Sequence, residues 1–403
     1  LTQAVASSCG VIWSDFHGTP HELATACVNG SVVDGSYGIV TASGSEVHII
    51  SDPLGTVPLF YHVGDHSVTV GTIVAEVASR AHASLDEEKA WIYVAFDYVP
   101  LPSTIFTGVY RCPPGSVVTV DLLGNRRSLA SVFSLTDAMC SSNVHISRLP
   151  AHELVAQTWQ RSVELLMHKL DTAEAVGISL SGGLDSRMMA ACMLDGDCDL
   201  HAYTHGADGH VSDAIIGRQV ANALGIQWGF MPTYYDAAAI QPFAERYFSM
   251  EPISMSFLPR VAETLHDRYR IRKVMVAAGG DVVWGSHSSY KQVALVCRAA
   301  RMWRKYCKTG TAAWVAASEL GDWNWADARK PWSDIMRAAA EVFDYTVETS
   351  LDILRAERVW SMCYRQPSYT WNSNLVYRDS GIDVLQPTLT LDSVLTGLLL
   401  PSW

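Results

Sequence analysis

Residues 175–189 read AVGISLSGGLDSRMM. A short apolar run breaks into serines, glycines and an aspartate, then returns at once to apolar residues. "AVGISL" (175–180) has the make-up of a buried strand, and "GGLDSRMMAACML" opens a helix. The turn between them lies at the carboxyl edge of a strand, where open α/β sheets bind ligands. A helix N-terminus presents unpaired N–H groups and a partial positive charge, both suited to phosphate oxygens. Gly182 and Gly183 let the backbone approach an anion closely. Ser179, Ser181 and Ser186 offer hydroxyl donors, and Asp185 offers a carboxylate for Mg²⁺. No lysine follows the glycines, so this is not the GxxxxGK[ST] loop. A pyrophosphate seat without that lysine points to cleavage between the α- and β-phosphates of ATP, giving AMP and pyrophosphate. The other reading of the same residues is a glycine-rich turn that binds nothing.

The surrounding pattern supports a parallel sheet. "LHAYTH" reads as a second strand, "SDAIIGRQVANALG" as a helix capped by Ser212 and stopped by Gly225, "IQWGFM" as a third strand, and "RKVMVAAGGD" as a strand ending in glycines. Strands alternating with helices of this length imply βαβ units. Before them, Val155, Trp159, Val163, Leu166 and Leu170 form one helical stripe. Residues 286–365 read as mostly helical and rich in Trp, Arg and Ala. Residues 1–130 are different: "SYGIVTA", "EVHIISD", "VPLFYHV" and "HSVTVG" are short β-branched or aromatic runs split by turn residues. One helix, "SLDEEKAWIYVAF", interrupts them, with Ser84 and Glu87 in capping-box spacing. Residues 131–150 read as a polar, irregular linker, which divides the chain into 1–130, 131–150 and 151–403.

Composition narrows the function classes. With 29 basic against 41 acidic residues the net charge is −12, which argues against a general nucleic-acid binder. No apolar run reaches the roughly 18–20 residues of a membrane span, and the first ten residues lack the features of a signal peptide. Nine scattered cysteines, without a CxxC pair, suggest reduced thiols and a cytoplasmic location. Cys192, Cys198, His201, His205 and His210 cluster in sequence, but their spacings meet zinc-ligand patterns only in part.

"SGGLDS" resembles the PP-loop of the ATP pyrophosphatases, shared by asparagine synthetases, β-lactam synthetases, lasso-peptide cyclases, GMP and NAD synthetases and tRNA-modifying ligases. Segments elsewhere are similar to the asparagine-synthetase branch: "DGSYGIV…SDPLGTVPLFYH", "FDYVPLPSTIFTGVYRCPPGS", "AAGGDVVWG" and "YRDSGIDVLQPTLTLDSV". Together they cover most of residues 30–400. The fold this implies is α/β: a β-rich, degenerate Ntn-type (glutaminase-like) domain, then a parallel-sheet PP-loop synthetase domain with a helical extension. The resemblance implies nucleotide contacts at Ser179, Leu180, Ser181, Gly182, Gly183, Asp185, Ser186, Tyr203, Gly279 and Gly280. It implies catalytic and Mg²⁺-binding roles for Asp185 and Asp281, with ATP and Mg²⁺ as cofactors.

Departures from the branch shape the functional expectation. Asparagine synthetases use a processed N-terminal cysteine to hydrolyse glutamine. Here Cys9 follows eight residues and the helper motifs are missing, so no glutaminase is expected and the N-terminal domain is expected to be a scaffold. Ala278 stands where those enzymes carry glutamate, which fits a different amine acceptor. The chain ends at "LLLPSW", short of a lysine that the family places further on. Adenylation of a carboxylate followed by closure onto an amine of the same substrate is the leading expectation: a macrolactam, as in lasso-peptide cyclases, with Trp303, Trp314, Trp323, Trp325 and Trp332 lining a peptide cavity. The alternatives are a β-lactam synthetase-like or other small-molecule ligase, an asparagine synthetase-like protein without glutaminase, and a non-catalytic nucleotide-binding scaffold. The expected partners are a peptide or small-molecule carboxylate substrate and a leader peptidase or precursor-recognition protein, with no nucleic acid and no membrane span.

Overall fold

The strands of the first third build two antiparallel sheets. The computed structural model describes residues 11–96, 98–124, 126–141, 150–170, 174–194, 196, 198–234, 236–284, 358–369 and 371–400. In it β1 (Val11–Ser14), β2 (Gly35–Ser43), β3 (Glu46–Ser51), β4 (Phe60–Val63), β5 (Val68–Gly71), β6 (Val109–Arg111), β7 (Ser116–Asp121) and β8 (Arg126–Ser131) form one sheet in the order β1-β2-β3-β7-β8 and a second in the order β5-β4-β6. The strand period of two sorts the side chains. Ile49, Val118 and Val120 face Leu59, Tyr61 and Cys112 of the smaller sheet side. Ile39, Ile50 and Val117 face Leu23, Ala24 and Cys27 of helix α1 (Pro20–Val28). The turn after β3 is organised by Asp52, fully buried, whose carboxylate accepts the backbone N–H groups of Tyr37, Leu54, Thr56 and Val57 and the Thr56 hydroxyl, all within 3.3 Å. A buried carboxylate survives only with such satisfaction.

Helix α2 (Val74–Arg80) follows the smaller sheet's hairpin, and α3 (Glu87–Phe96) begins two residues later than its sequence pattern suggests. The cap is Asp86, whose Oδ1 accepts the Lys89 N–H at 3.1 Å. Ser84 is drawn away because Leu85 bridges to Phe106 and the Ser84 carbonyl accepts the Thr107 N–H. Within 131–150, residues Leu135–Ser141 form a helix, α4, where the sequence reads as irregular.

The second half is a doubly wound sheet. Strands β9 (Ala175–Ser179), β10 (Asp199–Gly206), β11 (Gln227–Pro232), β12 (Lys273–Met275) and β13 (Asp383–Leu385) are all parallel, in the order β11-β10-β9-β12-β13. Chain direction across the sheet reverses between β9 and β12. One face is covered by α5 (Ala151–Met167), α6 (Leu184–Met193) and α7 (Ser212–Leu224); there Trp159, Val163 and Leu166 pack on Val176, Ile178, Leu180, Met189 and Met193. Of the expected stripe, Trp159, Val163 and Leu166 make this contact from α5 and Leu170 joins it just past the helix end, while Val155 is outside the core cluster. On the other face, α8 (Ala237–Tyr247) and α9 (Leu258–Glu263) pack with Tyr203, Ile271, Val274 and Val384. Short helices α10 (Gly280–Trp284), α11 (Gln366–Tyr369), α12 (Ser373–Asp379) and α13 (Leu391–Leu399) also belong to the described residues of this half. Gly225 stops α7 as expected, at φ 71°. Ser212 does not cap it; Val211 holds that position without a side-chain bond, because the preceding turn is closed by Asp208, which accepts the His210 N–H at 2.7 Å. The region 286–365 falls almost entirely outside the described residues, as do Cys9 and Trp303, Trp314, Trp323, Trp325 and Trp332. Among the described residues no helix is long and apolar enough to cross a membrane.

The two halves are in direct contact. Buried Arg111 of β6 donates to the carbonyls of Gly55 and Pro367, and the Trp360 indole donates to the Tyr98 hydroxyl at 2.9 Å. Asp34 accepts the Leu391 N–H at 3.0 Å through Oδ2, while its buried Oδ1 has no hydrogen-bond partner among the described residues. Burial first, with the charges of Asp15 and Asp52 added, pushes this carboxyl up to about 7. Because the folded value lies above the unfolded one of about 4, folding favours the protonated form. Its contribution is full below about pH 4 and is lost as pH rises towards about 7. Asp34→Asn is therefore expected to stabilise the fold at about pH 8 by roughly 2 kcal/mol and to change little near pH 4. Thermal melts across that range check this; a variant less stable at the higher pH would show that the ionised carboxylate is needed.

Candidate active site

The reversal of strand order between β9 and β12 places two loops side by side at the carboxyl ends of adjacent strands. This is where a doubly wound sheet opens a crevice. One loop is 180–183, leading from β9 into α6. The other is 276–279, leading from β12 into α10.

The first loop is a knot of hydroxyls and amides. Ser186, on the first turn of α6 and 7% exposed, is its hub. Its Oγ accepts the Ser181 N–H at 3.1 Å and lies 3.1 Å from Ser181 Oγ. Ser181 Oγ in turn accepts the Gly183 N–H at 3.1 Å. Arg187 Nε donates to the Gly183 carbonyl at 3.2 Å. The Gly182 N–H goes elsewhere, to Asp213 Oδ1 on α7, at 2.9 Å. Below the loop, the Thr204 hydroxyl donates to the Leu180 carbonyl and itself accepts the Trp228 indole N–H at 3.0 Å.

Asp185 joins this loop to the second one. A methyl group built on Gly280 would lie 2.3 Å from Asp185 Oδ2, so the carboxylate rests directly on the backbone of the turn before Asp281. Burial, and then the charge of Asp281, push the Asp185 carboxyl above its ordinary value. The second loop is fixed by Gly279, at φ 83°, and by the Thr388 hydroxyl, which donates to the Ala278 carbonyl at 2.5 Å. Asp281 Oδ1 accepts the N–H of Val282 at 3.0 Å.

Most of the residues singled out from the sequence therefore meet: Ser181, Gly182, Gly183, Asp185 and Ser186 on one loop, and Gly279, Gly280 and Asp281 on the other. Ser179 ends β9, half-buried, opposite Tyr203 of β10. Leu180 contributes only its backbone, since its side chain is in the core. Tyr203 lies apart. Its ring is 1% exposed on the sheet face opposite α6, with its hydroxyl 3.4 Å from that of Tyr377. Its carbonyl accepts the Leu180 N–H at 2.9 Å, and its side chain is hydrogen-bonded to Ser179. Asp213, Thr204 and Thr388 were not singled out. An acidic residue in the first turn of the helix after the second strand was the available signal for Asp213. Of the Cys/His cluster, His201 pairs with Asp199 and His205 packs against Phe257; no group of three or more metal-ligating side chains comes together among the described residues.

Comparison with known proteins agrees with this architecture. The chain matches the asparagine synthase family over residues 155–384, more than half of its 403 residues. It belongs to that family. It is 25% identical over 181 residues to a carboxyethyl-arginine beta-lactam-synthase of Streptomyces clavuligerus, covering 44% of this chain and 31% of the relative. It is 24% identical over 178 residues to the glutamine-hydrolyzing asparagine synthetase 1 of Bacillus subtilis (strain 168), covering 44% of this chain and 27% of that enzyme. The matched stretches thus span under a third of either relative's length.

Proposed function

We propose that the chain is an ATP-dependent amide-bond ligase that adenylates a carboxylate and closes it onto an amine of the same substrate, releasing AMP and pyrophosphate. The observation that carries this reading is the packing of Asp185, on the PP-loop helix, against the Gly280–Asp281 turn at the strand-order reversal. That contact joins a phosphate-type loop and two carboxylates in one crevice. The carboxylates fit a Mg²⁺ ion: they are close enough for one to raise the other, and a hard cation that keeps several waters needs only one or two protein carboxylates beside phosphate oxygens. Asp185 and Asp281 would hold it, and when bound it neutralises charge on the polyphosphate.

In the first step a substrate carboxylate oxygen attacks the α-phosphorus of ATP and the bond to the β-phosphate oxygen breaks. In the second, the amine nitrogen attacks the acyl carbon, AMP leaves, and the amine gives up a proton. The loop's amides and hydroxyls position the polyphosphate; the protein supplies orientation rather than a covalent intermediate. Ala278 puts no carboxylate at its turn position, which suits an acceptor amine delivered by the substrate itself. The similarity to a beta-lactam-synthase fits ring closure, alongside a nearly equal similarity to an asparagine synthetase. Within that class we favour a lasso-type peptide macrolactam, with residues 1–130 as a scaffold. Holding both ends of one molecule at reacting distance supplies effective molarities of ~10⁵ M or more.

Mass spectrometry on a leaderless core peptide, carrying Asp or Glu several residues from its amine, tests the finer reading. Loss of one water, dependent on ATP and abolished in Asp281→Asn, is expected. Cyclisation of a small amino-acid derivative, with every peptide untouched, would favour the β-lactam-type alternative.

A further inference from the structure

Three consecutive amides of the PP-loop are taken up by side-chain oxygens. Two of these oxygens, Ser186 Oγ on Ser181 N and Ser181 Oγ on Gly183 N, are neutral and belong to the loop and its helix. The third is different. Asp213 Oδ1, on Gly182 N at 2.9 Å, is anionic and comes from α7, thirty-one residues further along the chain. A carboxylate oxygen on a loop amide is chemically the same kind of acceptor as a phosphate oxygen. The approach is close, since a methyl on Gly182 would meet that oxygen at 2.9 Å and Ile216 Cδ1 at 3.1 Å. Asp213 is exposed, so its side chain is free to rotate without breaking the core. His205, at the end of β10, is near enough for the Asp213 charge to act on it, though burial holds its imidazole below the ordinary value and so favours the neutral ring.

We infer that Asp213 is a built-in competitor for phosphate, holding the Gly182 amide against ATP and pyrophosphate and thereby setting how tightly the loop retains them. A polyphosphate that takes the amide must displace a like charge. The same carboxylate recaptures the amide as pyrophosphate leaves, which favours release of a product that the loop would otherwise hold. This inference rests on the reading of the loop as an ATP site.

Calorimetric titration of the full chain with magnesium pyrophosphate, ATP and adenosine separates the two claims. Asp213→Ala removes both the charge and the acceptor, and is expected to bind pyrophosphate roughly five- to twentyfold more tightly than the wild type. Asp213→Asn keeps an acceptor and removes only the charge, and a gain of roughly threefold is expected. Adenosine, which has no phosphate, is expected to bind all three proteins equally. If the wild type binds pyrophosphate and both variants bind it equally or more weakly, Asp213 positions the loop and the competitor role is overturned. If the folded wild type binds neither pyrophosphate nor ATP, the nucleotide reading of the loop fails, and this inference with it.

Discussion

Replacing Asp185 by alanine is expected to abolish AMP formation while leaving the fold intact. The carboxylate is half-buried at the first turn of α6, rests on Gly280 and is raised by burial and by Asp281. None of these contacts holds the core together. Removing the carboxylate relieves a repulsion, so stability is expected to stay level or rise slightly. What is lost is the anionic partner for the charge that binds the polyphosphate. Loss of one such electrostatic contributor costs at least on the order of 10²–10³ in rate, about 3–4 kcal/mol in the barrier, and loss of the ion's seat with it takes AMP formation below detection. AMP formation by the purified variant, followed by chromatography beside a thermal melt, checks both halves. Wild-type turnover by Asp185→Ala would remove this residue from the site.

Gly280→Ala is expected to have the next largest effect, through the same contact approached from the other side. The added methyl would sit 2.3 Å from Asp185 Oδ2 and 2.7 Å from its Cγ, distances no real side chain tolerates. One of the two must move, and the Asp185 side chain is the more easily shifted. A displacement of about 1 Å at a reacting centre costs on the order of 10²-fold in rate. Gly279→Ala is the contrast. Its neighbours are 3.7 Å or more away, but its φ of 83° disfavours any side chain, so about 1 kcal/mol of stability is expected to go while Asp185 stays in place. Measuring AMP formation and melting temperature for both variants distinguishes steric displacement from backbone strain. Equal activity losses would show that the turn as a whole matters and that the Asp185–Gly280 contact does not.

The loop was legible because its chemistry is local. A strand buried on both faces, two glycines and a serine-rich turn occupy the twelve consecutive residues 175–186, and the parallel sheet that frames them follows from the alternation of strand and helix signals. Asp281 could be placed only by resemblance, since β12 is separated from β9 by about a hundred residues and no local pattern says that the two strands pair. Tyr203 shows the limit of reading a buried strand. Leu200, Ala202, Tyr203 and Thr204 are all buried, so the sequence does not reveal that Tyr203 faces away from α6. Its face is set by the strand's period of two, which sends Ala202 into the core under α6 and Tyr203 to the other side. Asp213 was hidden for the opposite reason: an exposed acidic residue opening a helix reads as an ordinary dipole partner. Only the turn of β10 into α7 brings it to Gly182. The Ser84 capping box failed because Leu85 bridges to Phe106, a tertiary pairing that outweighs a local cap.

The central claim is that the crevice between the β9 and β12 loops activates a carboxylate as its adenylate. A substrate carboxylate labelled with oxygen-18 tests it most directly, in an incubation with ATP, Mg²⁺ and the full chain. One labelled oxygen is expected in the phosphate of the AMP formed, with unlabelled pyrophosphate, and neither product from Asp185→Ala. Formation of ADP and phosphate, or AMP free of label, would contradict the account.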